Sequence, residues 1–109
     1  MSTQNTPDEN VLKTGNANMQ RGLEQAGGKL TLTDQRLLFE AHKLNFNSKS
    51  AEVPLSAVRE VTPVWTKFLG AIPLMPNSLA VTTADGHKYR FVVTGREAWK
   101  QEIEQALGR

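Results

Sequence analysis

The stretch from Ser78 to Arg109 allows few folds: two alternating apolar runs flank Ala84-Asp85-Gly86, and an apolar residue then recurs at every fourth position. Leu79 and Val81 precede the turn, and Tyr89, Phe91 and Val93 follow it, as in a hairpin with one dry face. A loop of Asp85 and Gly86 alone would put Tyr89 and Phe91 on the opposite face from Leu79 and Val81. A loop of Ala84, Asp85 and Gly86, with Gly86 left-handed, sets Val81 against Tyr89 and Leu79 against Phe91, and period two holds on both strands. Next comes Thr94-Gly95-Arg96-Glu97, which has the capping-box pattern, so Thr94 is expected to cap a helix and Glu97 to reach back to the Thr94 amide. Trp99, Ile103 and Leu107 form one apolar stripe on that helix. So short a helix must dock its stripe on another surface, and the apolar face of the hairpin is available, with Trp99 as the plug.

Composition narrows the function. A chain of 109 residues is long enough for one core, and with no cysteine it has neither disulfides nor thiolate chemistry. The opening MSTQNTPDEN carries no leader pattern, and no apolar run reaches the length of a membrane span, so a cytoplasmic, soluble protein is expected. Net charge is only +2, too small to argue for nucleic acid. Residues 10–93 hold ten basic and six acidic side chains, a local basic excess of four.

Taken in order, residues 1–10 have little to bury and are expected to form a disordered tail ahead of a domain at 11–109. Val11 to Gln20 reads as one interrupted strand or two short ones, broken at Gly15-Asn16, and Arg21 to Gly27 reads as a loop. Leu30 and Leu32 then face Phe39 and Leu37 across a four-residue loop, a second hairpin with a common buried face. Asn47 to Ser50 reads as a turn, Pro54 extends Val53, and Pro63 marks the Val58–Val64 run as an edge or a bend. Trp65 to Pro76 is rich in apolar residues and holds two prolines, a pattern that fits no regular strand throughout. About seven short strands and a terminal helix make a mainly β fold, a partly open barrel or sheet pair with the helix across one opening.

The run GGKLTLTDQRLLFEAHKLNFNSKSAEVPLSAVREVTP resembles the opening of a GRAM domain, and FLGAIPLMPNSLAVTTADGHKYRFVVTGREAWKQEI resembles its second half. Gly28, Leu30, Leu32, Thr33, Arg36, Leu37 and Phe39 match in the first run, followed by Pro54 and Leu55. Pro73, Asp85, Gly86, Tyr89, Phe91 and Trp99 match in the second, and Leu74-Met75-Pro76 is a small insertion against the pattern. The similarity spans about Val11 to Leu107. It implies a pleckstrin-homology-like barrel of seven strands capped by the C-terminal helix. Most matched residues have a structural reason to be there: Gly86 for a turn, Pro54 for extension, Trp99 for packing, and Arg36 in a hairpin loop that tolerates charge.

No catalytic residues are expected. His42 and His87 each sit in or beside a turn with no serine motif or paired carboxylate nearby, and they read as surface histidines. No spacing fits a metal site, and Gly27-Gly28 precedes a strand where a phosphate loop needs a helix, so no cofactor is expected. Lys88-Tyr89-Arg90-Phe91 has the alternation of a nucleic-acid-binding strand, but Tyr89 and Phe91 serve better in the core. Two binding roles remain. One is a noncatalytic module for anionic lipid headgroups or a membrane surface, with a location peripheral to the membrane; the resemblance implies this as well. The other is a protein-interaction or self-association module that uses the same apolar segment or an exposed strand edge. For either, the expected contact residues are Trp65, Lys67, Phe68, Leu69, Ile72, Leu74 and Met75.

Overall fold

The computed structural model describes residues 9–21, 24–42, 50–68 and 72–108, without the side chains of 21, 24, 65–68 and 72–76. Seven antiparallel strands, β1 (Val11–Arg21), β2 (Glu24–Thr33), β3 (Arg36–Ala41), β4 (Ala51–Pro54), β5 (Val58–Phe68), β6 (Ile72–Thr83) and β7 (Lys88–Val93), precede one helix, α1 (Arg96–Ala106). They form a single sheet in the order β4-β3-β2-β1-β7-β6-β5, which makes β4 and β5 the two edges. Between these opposite edges lies only the 3-10 turn Leu55–Ala57. Six strand spacings across a flat sheet would separate them by about 29 Å, while the four residue steps from Pro54 to Val58 reach at most about 14 Å. The sheet must therefore roll until its edges approach. The turn also pins both ends of the roll: the Leu55 N–H donates to the Gln35 carbonyl (3.0 Å) in the β2–β3 turn, and the Ala84 N–H donates to the Ala57 carbonyl (2.8 Å) from the β6–β7 turn.

Both predicted hairpin registers hold. Leu79 faces Phe91 and Val81 faces Tyr89 around the three-residue loop, where Gly86 has φ +86°, and Leu30 and Leu32 face Phe39 and Leu37. β1 and β2 differ from expectation. Gly15-Asn16 does not interrupt β1, because Gly15 lies beneath the Trp99 ring, 3.3 Å from where its Cβ would be. The expected loop at Arg21 to Gly27 shortens, with Arg21 pairing Glu24 and β2 beginning there. At Gly28 a Cβ would fall 2.2 Å from the Glu40 carbonyl oxygen and 2.7 Å from the Phe39 ring, so only glycine lets β2 cross β3 this closely. In β5, strict alternation separates Val58 from Val61, yet both are buried, because the register shifts between Val58 and Glu60 and turns both inward. Pro63 lies on an edge strand, as expected.

The rolled face encloses one core, in which Leu30, Leu32, Phe39, Leu79, Val81 and Phe91 are almost wholly buried and Tyr89 packs at its margin. Helix α1 lies across β5 and β6 and reaches β1, closing the opening with Trp99 and Ile103. Lys13 sets its ammonium 5.1 Å from the Trp99 ring centre, and Arg96 donates to the Val64 carbonyl at 2.7 Å. The capping box is corrected. The cap position is Gly95 at φ +71°, with no side-chain cap, and Glu97 lies in the first turn beside Arg96. A left-handed residue at the cap turns the chain sharply from β7 into α1, which carries Thr94 out of capping geometry.

The chain entry also departs from expectation. The expected tail of residues 1–10 ends too late, since Glu9 is buried and Asn10 is bound; residues 1–8 lie outside the described residues. Arg36 donates to Glu9 at 2.9 and 3.2 Å and pairs with Glu52 at 3.1 Å, while the Thr33 hydroxyl donates to Glu9 at 2.6 Å. Asn10 donates twice to the Asp34 carboxylate, and the Asp34 N–H returns a bond to its carbonyl. Arg36 is thus no freely exposed loop charge: only 13% of its side chain is accessible, against 1% for Glu9.

Two outcomes follow from this packing. Trp99→Ala should cost about 3–5 kcal/mol of an expected total of about 5–15; a denaturation midpoint near that of the parent protein would show that the helix is not held by this plug. Arg36→Met should cost about 3–5 kcal/mol by leaving Glu9 charged and buried, whereas Glu9→Ala should cost less because Arg36 keeps Glu52. Chemical denaturation of both variants reads this order, and the reverse order would refute it.

Candidate functional site

The contact segment expected from the sequence is an arm. β6 starts pairing β7 only at Ser78, so before that residue its sole ladder partner is β5, with Thr66 opposite Met75, Lys67 opposite Pro73 and Phe68 opposite Ile72. The two prolines, expected to keep part of the segment out of a ladder, do so unequally: Pro73 is paired with Lys67 and Pro76 is not paired. The ribbon has two breaks in register, and Leu74, Pro76 and Asn77 fall in the gaps. The backbone thus brings Trp65, Lys67, Phe68, Ile72, Leu74 and Met75 together along one two-stranded ribbon. Leu69 and the side chains of the other six lie outside the described residues.

At the far end of β6 lies a feature that sequence reasoning missed. A cavity of about 290 Å³ opens where the ends of β1, β4 and β7 meet, lined among others by Gln20, Ser50, Glu52, His87, Lys88 and Tyr89. His87 stacks edge-on against Tyr89 with ring centres 4.2 Å apart. Glu52 points its carboxylate at Arg36, which offsets its charge at the cavity wall. The β6–β7 turn beside it is held by Asp85, which accepts the Thr83 hydroxyl and the His87 N–H. The hydroxyl bond first and the His87 bond second hold the Asp85 carboxyl below the usual carboxylate range. From Ile72 to Thr83 is eleven residue steps along β6, up to about 36 Å in an extended strand. The arm and the cavity mark opposite ends of the molecule.

Among the described residues, no group of three or more His, Cys, Asp or Glu is placed to hold a metal ion, and no described helix is long and apolar enough to cross a membrane. His42 and His87 are both exposed, His42 beside Gly27 and His87 against Tyr89.

An open seven-stranded antiparallel sheet rolled on itself, with a C-terminal helix across one opening, defines the pleckstrin-homology-like fold. A family model for the GRAM domain matches residues 2–104, and the chain belongs to that family. No curated relative matches. Among solved structures, the C-terminal domain of an unknown protein from Leishmania infantum is 15% identical with a TM-score of 0.71, covering 91% of this chain and 85% of that one. The Vps36 N-terminal PH domain is 16% identical with a TM-score of 0.70, covering 96% and 83%. The Slm1 PH domain in complex with phosphoserine is 16% identical with a TM-score of 0.59, covering 88% and 91%, and another Slm1 structure holds inositol-4-phosphate. At these identities the likeness is one of fold.

The turn generates a pH prediction. An unfolded Asp takes up its proton near about 3.9, and Asp85 in the fold does so at lower pH. Its contribution to stability is therefore complete above the unfolded value and lost as pH falls through the folded one. Asp85→Ala should lower the thermal midpoint at neutral pH, and the deficit should shrink in acid. A deficit independent of pH would show that the turn does not depend on the carboxylate.

Proposed function

We propose that the chain is a noncatalytic module for anionic lipid headgroups, peripheral to a membrane, with the β5–β6 arm as its contact surface. The carrying observation is the arm itself: an apolar-rich two-stranded ribbon that extends past the last β7 pair and bears Lys67 in its ladder. An apolar ribbon with a cation suits an interface where acyl chains meet phosphates, at about 1 kcal/mol per basic residue near an anionic surface. The basic excess of residues 10–93 supports the same reading. So does the Slm1 PH domain, a fold relative crystallised with phosphorylated ligands.

A second reading has its own observation. β5 is a sheet edge along its whole length, and edges accept added strands, so a peptide or a second copy of the chain could bind there.

Sedimentation with phosphatidylcholine vesicles, with and without phosphatidylserine and at low and high salt, separates the two. Binding should require phosphatidylserine, weaken with salt, fall severalfold in Lys67→Glu and disappear in Ile72→Ser with Leu74→Ser, the unfolding midpoint being kept. Failure to bind any vesicle, with dimers or peptide complexes seen by light scattering, would replace the lipid reading by the protein one. Strong destabilisation by the double change would assign Ile72 and Leu74 to the core.

A further inference from the structure

On the outer face of the sheet, away from the core, a polar cleft of about 370 Å³ crosses β1, β2 and β7 at the base of the arm. This volume falls within the range of small-molecule sites, about 300–1,000 Å³. Asn16 and Asn18 stand two residues apart on β1 and so share its outer face. Across the cleft stand His42 at the end of β3, Asn77 on β6 and Thr94 after β7. Neither Asn16 nor Asn18 spends its amide on a hydrogen bond among the described residues. The floor is Gly27 and Gly28 with the small or apolar residues beside them. A Cβ on Gly27 would come within 3.0 Å of Asn18 Oδ1 and 4.0 Å of His42 Cδ2, so the absence of a side chain there leaves the space between the amide and the imidazole open.

The lining selects a chemistry by exclusion. Among the described residues no Lys, Arg, Asp or Glu lines the cleft, so neither a multiply charged anion nor a cation would find a counter-charge there. An apolar ligand would strip water from the amides without replacing their hydrogen bonds. An extended peptide needs a free strand edge, whereas β1, β2 and β7 are each paired on both sides. For a nucleobase the lining offers, among the described residues, a single stacking ring, His42, and no guanidinium plane. Side-chain amides both donate and accept, as hydroxyls do, so several amides converging on a small-residue floor suit a neutral ligand rich in hydroxyl groups.

We infer that this cleft, formed by Asn16, Asn18, His42 and Asn77 over Gly27, binds a neutral polyhydroxylated ring: a sugar, either free or as the headgroup of a glycolipid. The site is separate from the arm and does not depend on its lipid contact. The test is an amide NMR titration of the whole chain with methyl β-glucoside, with myo-inositol and with inorganic phosphate. Saturable shifts at the Asn16 and Asn18 side chains and the Gly27 amide should appear with at least one of the two polyols. Asn18→Ala and Gly27→Ala should each weaken them about tenfold while the rest of the spectrum stays unchanged. Phosphatidylcholine vesicles with and without glucosylceramide identify the source. Recruitment by glucosylceramide places the sugar on a lipid, NMR binding without recruitment makes it a soluble ligand, and either outcome supports sugar recognition. The inference is overturned if phosphate saturates the cleft and the polyols do not, if neither polyol gives a saturable shift there, or if the shifts survive both substitutions. None of these outcomes depends on the arm, so vesicle binding lost with Ile72→Ser and Leu74→Ser leaves this result intact.

Discussion

The three residues that join β4 to β5 impose the main constraint on this fold. A chain cannot cross a flat seven-stranded sheet in so short a step, so the connection forces curvature, and the other irregular features accommodate that curvature. Gly28 gives β2 room to bend across β3, and the bulge at Val58 to Glu60 turns β5 so that Val58 and Val61 both face inward. Rolling creates a concave interior with two openings. Trp99, seated above Gly15, fills one, which is why an eleven-residue helix with little stability of its own is held in place.

The ion cluster works at the same corner. Arg36 sits at the start of β3 and binds Glu52 of the β4 edge and Glu9 of the entering chain, so a single guanidinium joins three segments that the roll brings together. Hydrogen bonding to Glu9 holds that guanidinium still more firmly protonated than usual. Its value lies less in net stability, since burying charge is costly, than in allowing one arrangement of the three segments. Glu9 is therefore an anchor for the entering chain.

What was legible in the sequence was local. Both hairpin registers depended on period-two alternation and a turn of known length, and the Trp99, Ile103 and Leu107 stripe on a single repeat; such patterns survive folding because near neighbours set them. Distant partners left little trace. Nothing around Glu9 announces Arg36, 27 residues away, and nothing in Thr94-Gly95-Arg96-Glu97 shows that Gly95 rather than Thr94 takes the cap. The arm was visible in composition but not in shape, because proline normally argues against a ladder and bulges are not written in alternation. The cavity at the ends of β1, β4 and β7 and the outer cleft were invisible for the same reason: each collects residues from three or more strands, and residues such as Asn16, His42 and Asn77 look like ordinary surface until the sheet sets them side by side.

This division of the molecule bears on where binding can occur. The concave face is occupied by core side chains and the helix plug, and altering it to admit a ligand would unmake the closure that the β4–β5 connection requires. Surfaces outside that closure are free of the constraint. The arm projects beyond the β7 ladder, and the outer cleft lies on the side of β1, β2 and β7 facing away from the core, so neither must change when the core repacks. Recognition on this fold can thus vary without disturbing stability, provided Gly28, Trp99 and the Arg36 cluster remain. The β5–β6 arm and the outer cleft adjoin at Asn77, so one interface could engage both. A contact made by both would be more selective than either alone, because the second is formed at the effective concentration set by the first.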